Sequence, residues 1–288
     1  MTYPYRIDLH MHTTVSDGTD EPEQIISLVK ETGIELFSIT DHDAIEGCGI
    51  VRRLLGAGDP LFITGVEFSC KDKEGRYHIL GYGYDPEAQS IRDVVAKGHA
   101  LRMSKLEKRL EFLKNEFGFQ FSDADVASLY ALDNPGKPHI GNLMVQYGYA
   151  ATRDEAIRGY LNQYHAGSAY VRPEDAILGI LGAGGIPVLA HPSYGRGDEL
   201  ILGDEMDRRL RRLIGYGLRG VEAFYSGFTP KLQAEMLSFA GRYDLFVTVG
   251  SDYHGKNKPV QLGETNLSDP ADRPAGLYRF LDAVAGSR

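Results

Sequence analysis

The chain has little of what staples small secreted domains or carries helices across membranes. Its 288 residues include two cysteines, Cys48 and Cys70, and no tryptophan. Two cysteines cannot build a disulfide framework, and neither sits in a Cys-x-x-Cys pair. No apolar run reaches the roughly 18 residues that a membrane span requires, and the opening MTYPYRIDLH lacks the apolar stretch of a secretory leader. A soluble, cytoplasmic protein with no membrane contact is expected. Positive charge is also short: 31 Lys and Arg stand against 40 Asp and Glu, a net charge of −9. That balance disfavours a protein that coats long nucleic acid by bulk charge, but leaves room for a small anion held by a few cations in one pocket. With 25% charged and 42% hydrophobic residues, wholesale disorder is excluded. The length fits two domains, or one barrel-sized domain with an insertion.

Short β-branched runs predict strands at Arg6–Leu9, Leu36–Ile39, Leu61–Thr64, Tyr77–Tyr82, Pro187–Ala190, Gly220–Ala223 and Phe246–Val249. Helix-period segments such as Pro22–Glu31, Glu205–Tyr216 and Pro230–Tyr243 lie between most of them. Thr19 or Asp20 is the expected cap before Pro22. This alternation implies parallel strands joined by crossovers, hence an α/β sheet or barrel. From about Ile91 to Ala183 it gives way to helix alone: Ile91–Phe117, Asp123–Leu132, Ile140–Tyr147, Arg153–Tyr160 and Glu174–Leu181, with loops near Asn134–Pro138 and Ala166–Ser168. The helical stretch interrupts two strand candidates, so residues 91–183 are expected as an inserted subdomain within a fold made of 1–90 and 184–288.

What the chain has is nine histidines, six of them at strand positions. The first predicted strand runs into His10-Met11-His12, and residues two apart in an extended chain point the same way. Asp17 follows closely. The second strand ends in Asp41-His42-Asp43, the third is followed by Glu67, His78 belongs to the fourth, the fifth ends at His191, and the seventh ends in Asp252-Tyr253-His254. In parallel α/β proteins the functional face lies beyond the strand C-termini. Imidazoles and carboxylates converging there from separate strands suit Zn²⁺, Mn²⁺ or Fe²⁺. A metal site is the expectation. Asp8, Asp41 and Asp43 flank the candidate ligands, either orienting imidazoles or standing as solvated strand-end carboxylates.

HMHTTVSDG, ITDHD, GVEFS with the downstream His78, LAHPS and VGSDYHG, in that order, resemble the motifs of the PHP (polymerase and histidinol phosphatase) metallophosphoesterases. The resemblance covers essentially the whole chain. It implies a distorted (β/α)7 barrel with an inserted, mainly helical subdomain, and up to three divalent ions, Mn²⁺ first. By the same resemblance His10, His12, Glu67 and Asp252 hold the first ion; Glu67, His78 and His191 the second; Asp17, His42 and His254 the third. None of these positions is replaced.

The implied reaction is hydrolysis of a small phosphate ester, with a hydroxide bridging two ions beside Glu67 as nucleophile. Asp252 is expected to guide its proton, and His191 or His254 to protonate the leaving oxygen. The nearest branch it resembles acts on nucleoside 3′,5′-bisphosphates and short RNA 5′ ends, with Gly136–His139 and Gly184–Pro192 as the supporting residues. Gly98–Arg109 is not a close copy of that branch's arginine-rich stretch. Arg102 and Lys105 share a helix face; Arg102 is the candidate phosphate clamp, and His139, at a helix start, a second phosphate contact. His99 and His165 read as surface or structural. Among 17 tyrosines, those near strand ends (Tyr82, Tyr84, Tyr170, Tyr194, Tyr225, Tyr253) are candidates to stack a base or simply to pack.

Other readings are a cyclic sugar-phosphate phosphodiesterase, a histidinol-phosphate phosphatase, an amide-cleaving metallohydrolase, and a non-catalytic metal-binding PHP module. No obligate protein partner is implied.

Overall fold

The computed structural model describes residues 3–132, 134–165, 170–195, 199–267 and 273–285; the expected loop at Ala166–Ser168 lies outside them. The chain begins with β1 (Ile7–Asp8), α1 (Pro22–Glu31), β2 (Leu36–Phe37), α2 (Glu46–Leu54) and β3 (Leu61–Phe62). These strands form a parallel sheet in the order β1-β2-β3. Helix α1 buries Ile25, Ile26 and Val29 against Phe37 and Ile39. Its N-cap is Glu21, one residue later than expected, with the Gln24 side chain accepting from the Glu21 N–H at 2.8 Å.

β4 (Gly65–Lys71) and β5 (Arg76–Tyr82) follow as a hairpin. Here the all-parallel expectation is corrected: β4 pairs antiparallel with β5, and β5 antiparallel with β6 (Ile186–Leu189). The tight turn is the reason, since Asp72 accepts hydrogen bonds from the N–H groups of Glu74 and Gly75 and Gly75 takes a positive φ of 158°. Strands joined that closely can only be antiparallel. Glu67 therefore sits within a strand rather than beyond one. β7 (Gly220–Tyr225) and β8 (Phe246–Gly250) complete a five-stranded sheet, with β6-β7-β8 parallel.

The two sheets meet along both edges. Leu9 N–H donates to Val249 O at 3.0 Å and Asp252 N–H to His10 O at 2.8 Å, joining β1 to β8. At the other edge Asp43 N–H donates to Glu67 O at 2.9 Å, so the chain beyond β2 pairs with β4.

Between β5 and β6 come α3 (Gln89–Phe117), α4 (Asp123–Tyr130), α5 (Lys137–Gln146), α6 (Arg153–Glu155) with its π-helical continuation Ala156–Leu161, and α7 (Pro173–Gly182). Their apolar faces go to two places. Ile91 and Val94 of α3 and Ala176, Ile177 and Ile180 of α7 are buried in the same core as the five-stranded sheet. Leu106, Leu113, Leu129, Ile140, Met144 and Leu161 form a separate cluster. Helices α8 (Gly203–Tyr216), α9 (Pro230–Arg242) and α10 (Ala275–Ala285) pack their buried faces into the main core. Of all these helices, α2 and α10 are not among the segments named from the sequence. No helix of the described residues is long and apolar enough to cross a membrane.

The β1–β8 seam is tight. A Cβ added to Gly250 would lie 2.2 Å from the His10 Cβ. Gly250→Ala is expected to destabilise the fold by about 1–3 kcal/mol through overpacking, seen as a lower denaturant midpoint at unchanged slope.

Candidate metal centre

The six strand-associated histidines and the three carboxylates come together at one end of the sheets. His10 and His12 are fully buried, their Nε2 atoms 3.2 Å apart, with Met11 turned to the other side into the apolar cluster beneath α1. The alternation of an extended chain accounts for this division. Glu67 is 1% exposed and divides its two oxygens. Oε2 lies 3.4, 3.2 and 3.1 Å from ring nitrogens of His10, His12 and His42. Oε1 lies 2.8 Å from His78 Nδ1 and 3.1 Å from His191 Nε2. Asp252 Oδ1 faces His10, His12 and His254 at 3.6, 3.4 and 3.4 Å. Asp17 Oδ1 lies 3.3 Å from His254 Nε2.

Three sets of donor atoms are close enough to share an ion: His12, Asp17, His42 and His254; His10, His12 and Glu67; and His42, Glu67 and His78. His12 and His42 each belong to two sets. The donor chemistry fits divalent ions of the Mn²⁺, Fe²⁺ or Zn²⁺ kind. Despite those close neighbours, the buried Asp17 Oδ1 and His42 Nδ1 form no well-aligned hydrogen bond among the described residues, which suits donor atoms of a metal site.

The charges compete. Burial works against charged His10, yet the Glu222, Glu67 and Asp252 carboxylates raise its pKa well above the ordinary imidazole value. Burial opposes charge on His12 too, but Asp252 and Glu67 pull it up to about 9. Burial pushes His42 down to about 3, against Glu67 and Asp17. Burial alone would raise Glu67, Asp17 and Asp252; nearby imidazoles and, for Asp252, the Lys258 ammonium hold all three well below the usual carboxylate range. A divalent ion satisfies such a cluster without sharing out protons.

Two candidate ligands sit on strained backbone: His191 has φ 26° and Asp252 φ 59°. Such conformations cost on the order of 1–3 kcal/mol each and persist only where the surroundings fix them. Those surroundings include Asp8, which accepts from Ser251 N at 2.9 Å, Gly263 N at 2.8 Å and His10 N at 3.3 Å. Asp41 accepts from Thr13 and Ser16, holding the loop that carries Asp17. Asp8, Asp41 and Asp43 are all buried, so they are not solvated, and none orients an imidazole by hydrogen bonding to its ring.

That task falls to Glu222, absent from the sequence reading. It is fully buried in β7 beside a register shift that re-aims the strand. Its Oε1 is 2.8 Å from His10 Nδ1, and its Oε2 accepts from the His191 N–H at 2.8 Å. A lone carboxylate within the apolar run Gly220–Tyr225 was the available signal.

A cavity of about 390 Å³ opens over the centre, lined by Asp17, Glu67, His78, His191, Asp252 and His254 among others. Tyr194, Tyr225, Arg153 and Lys258 also line it. Tyr225 Oη donates to Asp252 Oδ2 at 3.0 Å, and Lys258 Nζ donates to the same oxygen. Arg153 of α6 grips Asn257, donating to its backbone O at 2.6 Å, and Asn257 donates to Asp17 O at 2.8 Å. The helices between β5 and β6 are thus tied to the loop after β8. Tyr82 and Tyr84 instead spend their hydroxyls on Leu9 O and Gly65 O.

Arg102 and His139 do not line this cavity. Arg102 is buried, pairing with Asp43 at 2.5 Å and donating to Ser69 Oγ at 3.3 Å. His139 Nδ1 accepts from Gly136 N–H at 2.9 Å at the start of α5. His99 and His165 are exposed. A larger cavity of about 810 Å³, between α2 and α3, contains none of the nine candidate ligands.

Glutamine at 222 keeps the volume but has one acceptor oxygen for two donors, His10 Nδ1 and His191 N. Glu222→Gln is expected to weaken metal affinity about 10- to 100-fold, measured by chelator competition, with the far-UV spectrum preserved.

The profile of the PHP domain matches residues 8–171. The chain is 30% identical to the phosphoribosyl 1,2-cyclic phosphate 1,2-diphosphodiesterase of Eggerthella lenta, covering 86% of this chain and 94% of that protein. It is 27% identical to the 3′,5′-nucleoside bisphosphate phosphatase of Chromobacterium violaceum, with 96% of each covered. A solved structure from Bifidobacterium adolescentis superposes with a TM-score of 0.82 at 29% identity, over 96% of each chain. With the profile spanning more than half its length, this chain belongs to the PHP domain family and is a phosphoesterase.

Proposed function

We propose that the enzyme removes the 3′-phosphate of a nucleoside 3′,5′-bisphosphate or a closely related nucleotide. The carrying observation is Glu67 dividing its oxygens between two groups of imidazoles beneath a cavity of about 390 Å³, a volume within the range of small-ligand pockets. The similarity to the Chromobacterium violaceum phosphatase over 96% of both chains supports the nucleotide choice. The sheets, joined at both edges, read as a distorted barrel, with residues 91–183 inserted as a substrate-capping subdomain.

His10, His12, Glu67 and Asp252 would hold a first divalent ion, Glu67, His78 and His191 a second, and Asp17, His42 and His254 a third. Mn²⁺ is the favoured ion. Bound there, divalent ions supply an activated water at neutral pH and positive charge for the phosphoryl oxygens. The chain's own residues do the rest. Glu222 fixes the ring of His10, so that its Nε2 faces the centre. Tyr225 and Lys258 occupy Asp252 Oδ2, leaving Oδ1 turned toward His10 and His12. Lys258 and Arg153 bring cationic side chains to the wall of a cavity that must receive a dianion. His191 and His254, which line the cavity, would give a proton to the leaving oxygen, and a phosphate contact by Arg102 and His139 would lie outside the cavity lining.

A cyclic sugar phosphate is the second reading, favoured by the similarity to the Eggerthella lenta enzyme over 94% of its length. A phosphate-release panel of 3′,5′-bisphosphates, 5′-phosphorylated RNA, cyclic sugar phosphates and histidinol phosphate, run with Mn²⁺-loaded protein, separates these. Chelation is expected to abolish release and Mn²⁺ to restore it. His10→Ala and Glu67→Ala are each expected to lose activity roughly 100-fold or more, beyond the effect of losing an outer partner. Full activity in either variant under metal-replete conditions overturns the assignment.

A further inference from the structure

The donor sets are not held in place by the same parts of the chain. His10 is fixed by Glu222 and the β1–β8 seam, His191 by Glu222, and Glu67 and His78 by the paired strands β4 and β5. His12, Asp17, His42 and His254 form the remaining set, and two asparagines grip the backbone carbonyls of three of its members. Asn257 Nδ2 donates to Asp17 O at 2.8 Å, and the Asn257 N–H donates to His254 O at 3.2 Å. Asn134, buried between α4 and α5, donates through Nδ2 to His42 O.

Asn257 is in turn held by the inserted helices. Arg153, the first residue of α6, donates from its two terminal nitrogens to Asn257 Oδ1 and, at 2.6 Å, to Asn257 O. A planar guanidinium meets two acceptors of one residue in a fixed fork, which a lysine head does not do. The stem is packed as well: a Cβ added to Gly141 of α5 would lie 3.1 Å from Arg153 Cγ. The short turn Gly255–Asn257 that presents Asn257 is crowded against the loop carrying Asp17, since a Cβ on Gly255 would lie 2.0 Å from Thr19 Oγ1. Thr19 Oγ1 accepts from Lys256 N, and Asp20 Oδ2 from Tyr253 Oη, both at 2.9 Å, so the two loops are joined as one piece. Helices α4 to α6 pack around their own apolar cluster rather than in the main core, and a unit with its own core is able to shift as a body. Two of the contacts that seat this unit end on one donor set.

We propose that Arg153, Asn257 and Asn134 are positioning residues through which the inserted helices keep His12, Asp17, His42 and His254 in shape, so that retention of the ion at this set depends on the seating of those helices. The proposal rests on the three-ion reading and deepens it. The ion at this set is the exchangeable one, and the insertion is part of the metal centre rather than only a cover over it. Shared ligands must be held to within about 0.5 Å, and here that tolerance is set by side chains that touch neither ion nor substrate phosphate.

The test uses the full chain loaded with Mn²⁺, desalted, and counted for bound metal per chain by plasma mass spectrometry. Arg153→Met and Asn257→Ala are each expected to keep one ion fewer than wild type, and Arg153→Lys, which still reaches one acceptor, to regain part of the loss. Asp17→Asn removes a ligand of the same set, so adding Asn257→Ala to it should lower the count no further. For Asn257→Ala the Mn²⁺ concentration giving half-maximal phosphate release should rise about tenfold or more, with activity returning at saturating Mn²⁺, a repair that metal does not make in a merely misfolded protein. Arg153→Met is judged on the count alone, because its cation also reaches the cavity wall; Asn257, partly exposed, carries the test if that variant does not fold. Wild-type ion counts in both variants, or lost activity that Mn²⁺ does not restore in Asn257→Ala, overturn the coupling while leaving the phosphoesterase intact. Wild-type protein that keeps no more ions than Asp17→Asn overturns the three-ion reading instead.

Discussion

The arrangement depends on one buried carboxylate facing two ways. Glu67 has five imidazoles within 3.4 Å of its oxygens, three on one oxygen and two on the other. Nothing apolar could replace it, since the rings would then face one another across a dry gap. Its position requires β4 to be a strand paired on both sides, with β5 through the hairpin and with residues 41–43 through the edge contact. Gly65 makes the edge possible, because a Cβ there would lie 2.1 Å from Ser38 Oγ and 2.6 Å from Ile39 O. The backbone crosses closely so that one side chain can reach the middle of the site.

A second tier of buried acids holds the first in place. Asp8, Asp41 and Glu222 are at most 1% exposed, and each accepts at least two hydrogen bonds from loops that carry candidate ligands. Burying a carboxylate is costly unless it is well bonded. Asp8 registers that cost: burial lifts its pKa to about 6 despite its backbone donors. What the cost brings is definition. Loops that end strands are the most mobile parts of an α/β fold, and three acids anchored in strands or just beyond them fix those loops to about the tolerance that shared ligands need.

How much of this was legible follows from which physics is local. His10-Met11-His12 announces itself because strand alternation is a two-residue property, and Asp252-Tyr253-His254 repeats the signal. The parallel strands β6 to β8 and the long α3 also follow from periodicity within a few residues. The antiparallel hairpin did not, although Asp72-Lys73-Glu74-Gly75 is a turn signal, because Gly65–Ser69 continue the apolar run of the third predicted strand, Leu61–Thr64. Glu222, Lys258 and Arg153 were invisible for another reason. Their importance comes from partners 212, 6 and 104 residues away, and even the near pair depends on a turn brought round by the short helix at Gly255–Asn257. Asp43 shows the converse. Its neighbour His42 suggested a role toward imidazole, but its positive φ of 53° turns it toward Arg102.

Net charge is the least local property and the easiest to misread. A value of −9 averages over features that never meet. Many acidic groups pair with arginines at the surface, as Glu205 does with Arg208 on α8, and such exposed pairs contribute little either way. The acids that matter are buried beside imidazoles, where divalent ions would offset them. An approaching phosphate responds to the field within the pocket, and there Lys258 and Arg153 reach the wall. Low-dielectric surroundings strengthen those few cations, and solvent screens the distant surface acids. An acidic protein can in this way present a basic interior to a small anion and still repel a long polyanion at its surface.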